Sequence, residues 1–157
     1  MGKSLETILL TGRPVAAVKL NKGKEFEETA DVLRKLGAEE IIAGDVYVED
    51  HLKYMERLGE EVGAKLVESL WGIDPEELLH EEIASGIRTL VVGCEYSMSN
   101  WLGREISSES VENFLRDAKR GGEYHTLVIS GPMHRAPLSY SKSLVEDYDG
   151  YKILRVI

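Results

Sequence analysis

Apolar residues in the first two thirds of the chain recur in two rhythms. Phe26, Ala30, Val32, Leu33 and Leu36 fall at helical spacing, as do Leu52, Met55, Leu58 and Val62. These patterns predict helices over 25–36 and 48–62. Gly37 and Gly63 close them at the position where a left-handed residue ends a helix. Short β-branched and aliphatic runs at 14–20, 40–44, 65–70 and 87–94 read as strands. Asp74-Pro75-Glu76-Glu77 starts a third helix, with proline in the first turn and acids near the positive end of the dipole, and Gly86 ends it. Ser107 or Ser108 caps a fourth helix running to Arg120. Alternating strands and helices imply an α/β fold, a parallel sheet with helices on both faces. After Thr126 the rhythm changes. Residues 127–130, 138–144 and 151–157 are strand-like, with turns at Gly131-Pro132 and at 147–150, and they form a small antiparallel C-terminal set.

The chain has 157 residues, which suits one compact unit able to bury a core without a staple. Its one cysteine, Cys94, excludes an internal disulfide framework and a paired-cysteine zinc site, and points to a reducing, cytoplasmic setting. No apolar run approaches a membrane span, and the start does not read as a signal peptide. With 28 acidic against 19 basic residues the net charge is −9, spread along the chain, which argues against a nucleic-acid partner. Glutamine is absent and asparagine occurs only at 21, 100 and 113, a composition that suits a thermophile.

In open α/β sheets ligands lie beyond the carboxyl ends of strands, and four polar clusters fall there. Asp45 follows the 40–44 strand; it could hold a ligand hydroxyl or amine, or cap the next helix. Trp71 ends the 65–70 strand, and with Trp101 it could stack on a planar ligand or simply pack. Glu95-Tyr96-Ser97 follows the 87–94 strand and opens a polar, aromatic loop. Gly121-Gly122-Glu123-Tyr124-His125-Thr126 brings a flexible backbone and a polar cluster to the start of the last apolar run. His125 is the better placed of the histidines for acid and base work near neutral pH. Its spacing to His134 is not a zinc pattern, so no metal site is expected.

Four segments in order carry a family resemblance. G-G-E-Y-H-T-L-V-I-S-G-P at 121–132 is similar to the G-E-G-G-E-[YF]-E-T signature of the diphthine ammonia ligase family, a branch of the PP-loop ATP pyrophosphatases. Ile41 to Asp45, Leu70-Trp71-Gly72 with Glu77-Leu78-Leu79, and Trp101-Leu102-Gly103-Arg104 resemble its other elements, so the likeness runs from about Lys22 to Pro137. The resemblance implies a Rossmann-like, truncated sheet, with residues 1–70 a remnant of the nucleotide-binding half and 71–157 the acceptor-side half. It implies ATP and magnesium as cofactors and a small-molecule or modified-histidine substrate, nominally diphthine on elongation factor two. The site it implies comprises Asp45, Trp71, Trp101, Gly103, Gly121, Gly122, Glu123, Tyr124, His125 and Thr126.

The sequence departs from that family at three places. The S-G-G-K-D-S phosphate loop is missing, and Thr11-Gly12-Arg13-Pro14 lacks the glycine pair and lysine that would cradle a pyrophosphate. Lys119-Arg120 stands where the family has G-E, and His125 where it has its second glutamate. Three readings follow: a non-catalytic module that keeps the acceptor pocket, a ligase subunit whose nucleotide loop comes from a partner chain, or an assembly protein. In the last, a homo-oligomer pairs through an open N-terminal strand.

Overall fold

The computed structural model describes residues 2–118 and 123–157. In chain order the first elements are α1 (Lys3–Leu9), α2 (Glu25–Leu36), β1 (Glu40–Ala43), α3 (Glu49–Val62) and β2 (Lys65–Glu68). There follow α4 (Pro75–Ala84), β3 (Arg88–Glu95), a 3-10 helix (Tyr96–Trp101), β4 (Glu105–Ile106) and α5 (Val111–Asp117). The chain ends in β5 (Tyr124–Ser130), β6 (Lys142–Tyr148) and β7 (Tyr151–Val156). Two compact units result, one of Ala17–Asp74 and one of Met1–Ala16 with Pro75–Ile157.

The Ala17–Asp74 unit is a β-α-β element with one further helix. β1 and β2 run parallel, with Ile41 opposite Leu66 and Ala43 opposite Glu68. Helices α2 and α3 bury Ala30 and Leu58 with Ile41, and Phe26, Leu33, Met55 and Val62 pack around them. That set is the apolar stripe of the two helices, which explains why their extents follow the sequence pattern closely. Gly37 and Gly63 end the helices at φ +66° and +76°, as expected. Gly59 is glycine for a different reason, because a Cβ there would stand 3.1 Å from the carbonyl of Ala64, where the chain turns into β2.

The second unit holds a five-stranded antiparallel sheet. β3 is its centre, with β5 along one edge. β4 and β7 share the other edge, and β6 lies outside β7. Leu90, Val91 and Cys94 of β3 are fully buried. Beside β3, Phe114, Met98, Trp101, Val111 and Leu79 form one cluster, and Leu127, Ile129, Leu138 and Leu154 join Leu90 in another.

The mixed α/β class therefore holds, while the expected sheet does not. The parallel part has two strands, and the 87–94 run is the middle of an antiparallel sheet. A strand buried on both faces reads as one apolar run whichever way its neighbours point, so the run alone does not give their direction. Residues 14–20 form no strand: Val18 and Leu20 are exposed, and nothing pairs with the segment. The strand at 14–20 expected to offer an open N-terminal edge is therefore not formed. The fourth helix ends at Asp117, short of Arg120. The strand expected at 138–144 lies at 142–148, because its register is set by the hairpin at Asp149-Gly150. Helix α1 is an element the pattern did not reveal.

Candidate functional site

In the Ala17–Asp74 unit, the parallel pair ends level at Ala43 and Glu68, so the segments leaving both strands start side by side. The N–H of Gly72 donates to the carbonyl of Val46 at 2.8 Å, which ties the segment holding Asp45 to the one holding Trp71. Gly72 does this at φ +81°, a conformation that favours glycine. Asp45 does not cap α3. The cap position is Val48, without a side-chain hydrogen bond, and Asp45 Oδ1 instead lies 3.1 Å from Nδ1 of His51 in the first turn. Trp71 is half-buried.

In the other unit, the carboxyl end of β3 is held from both sides. The N–H of Glu95 donates to the carbonyl of Glu123 at 2.8 Å, and that of Tyr96 to the carbonyl of Gly150 at 3.0 Å. The Glu95-Tyr96 cluster and the Glu123–Thr126 cluster, far apart in sequence, thus meet at one strand end. Gly121 and Gly122 lie outside the described residues.

Within the motif, side chains alternate across β5. Tyr124 turns inward, with its ring edge-on to Phe114 at 4.6 Å, and Phe114 meets Trp101 in the same way at 5.1 Å. Trp101 is 5% exposed, and its indole Nε1–H donates to Asp117 Oδ2 at 2.7 Å. Both aromatic rings sit in core packing. Gly103, at φ +75°, donates its N–H to the carbonyl of Val91, and a Cβ there would approach Leu154 to 3.2 Å. His125 and Thr126 are exposed.

Three residues that sequence reasoning missed complete this strand end: Gly93, Tyr151 and Lys152. β3 carries an extra residue between Val91, opposite Thr126, and Gly93, opposite His125, a bulge in mid-strand. A Cβ on Gly93 would lie 3.1 Å from the Tyr151 ring, 3.3 Å from its hydroxyl and 3.6 Å from the Cβ of His125. Tyr151 therefore lies across the Gly93 backbone, its ring centroid 5.8 Å from that of His125. Burial, with the Cys94 thiol and Glu95 nearby, pushes the Tyr151 hydroxyl above its ordinary pKa and keeps it a donor. Lys152 places its ammonium over the Tyr96 ring at 5.5 Å. A lone glycine in the most apolar strand was the available signal for this close approach.

Cys94 pairs with Tyr124 in the ladder and is fully buried. Burial pushes its thiol upward, and Sγ–H donates to the carbonyl of Met98 at 3.5 Å. A neutral, shielded thiol is a packing group and not a nucleophile.

A family model for the diphthamide synthase C-terminal domain matches residues 74–152, about half of the sequence. The chain belongs to this family. The resemblance drawn from the sequence motifs to diphthine ammonia ligases is thereby borne out, and the matched stretch contains Trp101, Gly103, Glu123–Thr126, Gly93 and Tyr151. No curated protein matches the sequence.

The segment 11–14 follows helix α1 instead of joining a strand to a helix, and the guanidinium of Arg135 lies against Gly12. Among the described residues, no three His, Cys, Asp or Glu side chains gather as metal ligands. No helix among them is long and apolar enough to cross a membrane.

Proposed function

We propose that this chain is the acceptor-side module of a diphthine ammonia ligase-like system, which binds the group to be amidated and does not activate it alone. The observation that carries this reading is the Glu95–Glu123 junction. It brings the polar part of the family motif to a strand end, with the exposed His125 and Thr126 beside it. Glu123 and Thr126 would orient the acceptor, a modified histidine side chain or a small molecule of similar chemistry.

ATP and magnesium enter this reading through a partner chain, since 11–14 gives a triphosphate no backbone cradle. The exposure of Ile42 at 72% on the two-stranded parallel pair supports a second reading, in which a nucleotide-binding partner covers that strand and the assembly is an active ATP-dependent ligase.

Isothermal titration separates the readings. A diphthine-containing peptide is expected to bind the wild-type chain and to lose affinity in Glu123→Ala. ATP or AMP with magnesium is expected not to bind the chain alone. Tight ATP binding accompanied by AMP release on adding acceptor and ammonia would overturn the module reading in favour of a self-sufficient ligase.

A further inference from the structure

Two rows of the antiparallel sheet cross at this strand end. In one, Tyr151 stands between Glu95 of β3 and Tyr148 of β6. In the next, Ile153 stands between Gly93 and Glu146, with His125 of β5 beyond Gly93. Alternation along the strands puts both rows on one face. That face is open: Tyr148 is 51% and Ile153 38% exposed, and Glu95 and His125 are exposed with them. Its cations are committed elsewhere. Arg155, on the same face, is bonded to Glu146 at 2.8 Å, and Lys152 turns to the other face, over the Tyr96 ring. Among the described residues the Glu95 carboxylate has no ion-pair partner. The Tyr148 hydroxyl donates to Glu146 Oε2 at 3.0 Å, which shifts negative charge onto its ring.

We propose that this face binds an alkylated ammonium group of the acceptor, with Tyr148 and Tyr151 as its aromatic wall and Glu95 as its counter-charge. This rests on the acceptor-binding reading above and deepens it by naming the group that is gripped. Charge complementarity chooses the occupant, because ring faces attract a cation and Glu95 repels an anion. A primary ammonium brings three N–H donors that need acceptors in place of water, and the face offers them one unpaired carboxylate. An alkylated ammonium keeps the charge and donates nothing, so ring faces and that carboxylate suffice. The group lies on the outer side of the Tyr151 ring, since the ring itself occupies the space over Gly93. The acceptor is thus held by its cation, and the carboxylate to be amidated takes no part in the grip.

The test is an NMR titration of the full chain at constant ionic strength, following the Tyr151 and Ile153 amide signals. The probes are tetramethylammonium, ammonium and the neutral tert-butanol. Wild type is expected to bind tetramethylammonium saturably and the other two more weakly. Glu95→Gln and Tyr148→Leu change exposed side chains, and each is expected to weaken tetramethylammonium about two- to fivefold. Equal binding of tert-butanol would overturn the role of charge, and equal binding of ammonium the role of the alkyl groups. Unchanged tetramethylammonium binding in both variants, or no saturable binding by wild type, would overturn the inference. The diphthine-peptide titration fails separately. A peptide that binds while tetramethylammonium does not leaves the acceptor reading standing without this inference, and tetramethylammonium binding without peptide binding would overturn that reading and leave the cation site.

Discussion

Glu95 and Glu123 are 28 positions apart and joined backbone to backbone, the N–H of the first donating to the carbonyl of the second at 2.8 Å. Because the main chain makes this junction, either side chain can change without breaking it. Glu123→Ala should therefore keep the fold, while weakening the diphthine peptide about 10- to 100-fold, the range for a lost hydrogen bond to a charged group. Parallel denaturation and titration check both halves. A large stability loss would make Glu123 a structural residue.

Gly93 tests the packing at the same strand end. A methyl group there meets the Tyr151 ring at 3.1 Å, with the backbone of two strands behind it. Gly93→Ala should cost about 2 kcal/mol through overpacking, lowering Tm by roughly 4–8 °C for a chain of this size. Gly23 has no atom within 4 Å of an added Cβ, but its φ of +84° makes it a poor control. Gly44, whose nearest neighbour is 3.9 Å away, is the better one, and Gly44→Ala should change Tm much less.

How far the sequence reveals these features depends on how local their causes are. Helices α2 and α3 were legible because each carries its own apolar stripe and ends in a left-handed glycine. The hairpin between β6 and β7 was legible because Asp149-Gly150 supplies two positive-φ residues between Tyr148 and Tyr151. The direction of the sheet was not, because it depends on which distant segments flank β3. Residues 14–20 look like a strand by composition, yet no neighbour pairs with them. The site divides in the same way. The motif located Glu123 to Thr126, but Tyr151 reaches them only through β7 pairing with β3; Trp101 is buried in the core and Tyr124 packs against it, with Phe114 between the two rings.

The Trp101–Asp117 bond makes a prediction about the core. The indole nitrogen is buried, and Asp117 Oδ2 is the acceptor at 2.7 Å. Asp117→Ala leaves that N–H without its acceptor, at a cost of about 1–3 kcal/mol. Asp117→Asn keeps an acceptor oxygen and should lose less. In a Trp71→Phe background Trp101 is the sole fluorophore of its kind, so urea unfolding followed by tryptophan emission reads this cluster directly. Equal stability of Asp117→Ala and wild type would show that the bond contributes nothing.

Glu82, on α4, gives a pH dependence whose sign is fixed by its environment. Burial raises its carboxyl pKa above the ordinary value. Below the unfolded-state pKa the group is protonated in both states and has no effect on stability. As pH rises from there through the higher folded-state pKa, the native chain holds a proton that the unfolded chain has released. Stability falls across that window and stays lowered above it. Glu82→Gln removes the charge while keeping the shape, so the variant should be more stable than wild type at pH 7 and indistinguishable from it near pH 3.5. Glu146 has the opposite sign. Arg155 and then Tyr148 hold its carboxyl below the usual range, so whatever it contributes is present at neutral pH and lost as pH falls through that lowered value. Thermal melts of wild type, Glu82→Gln and Glu146→Gln across pH 3.5 to 7 separate the two. A Glu82→Gln advantage that persists unchanged at pH 3.5 would mean that hydrogen bonding or packing of the amide, and not relief of a buried charge, is what stabilises α4.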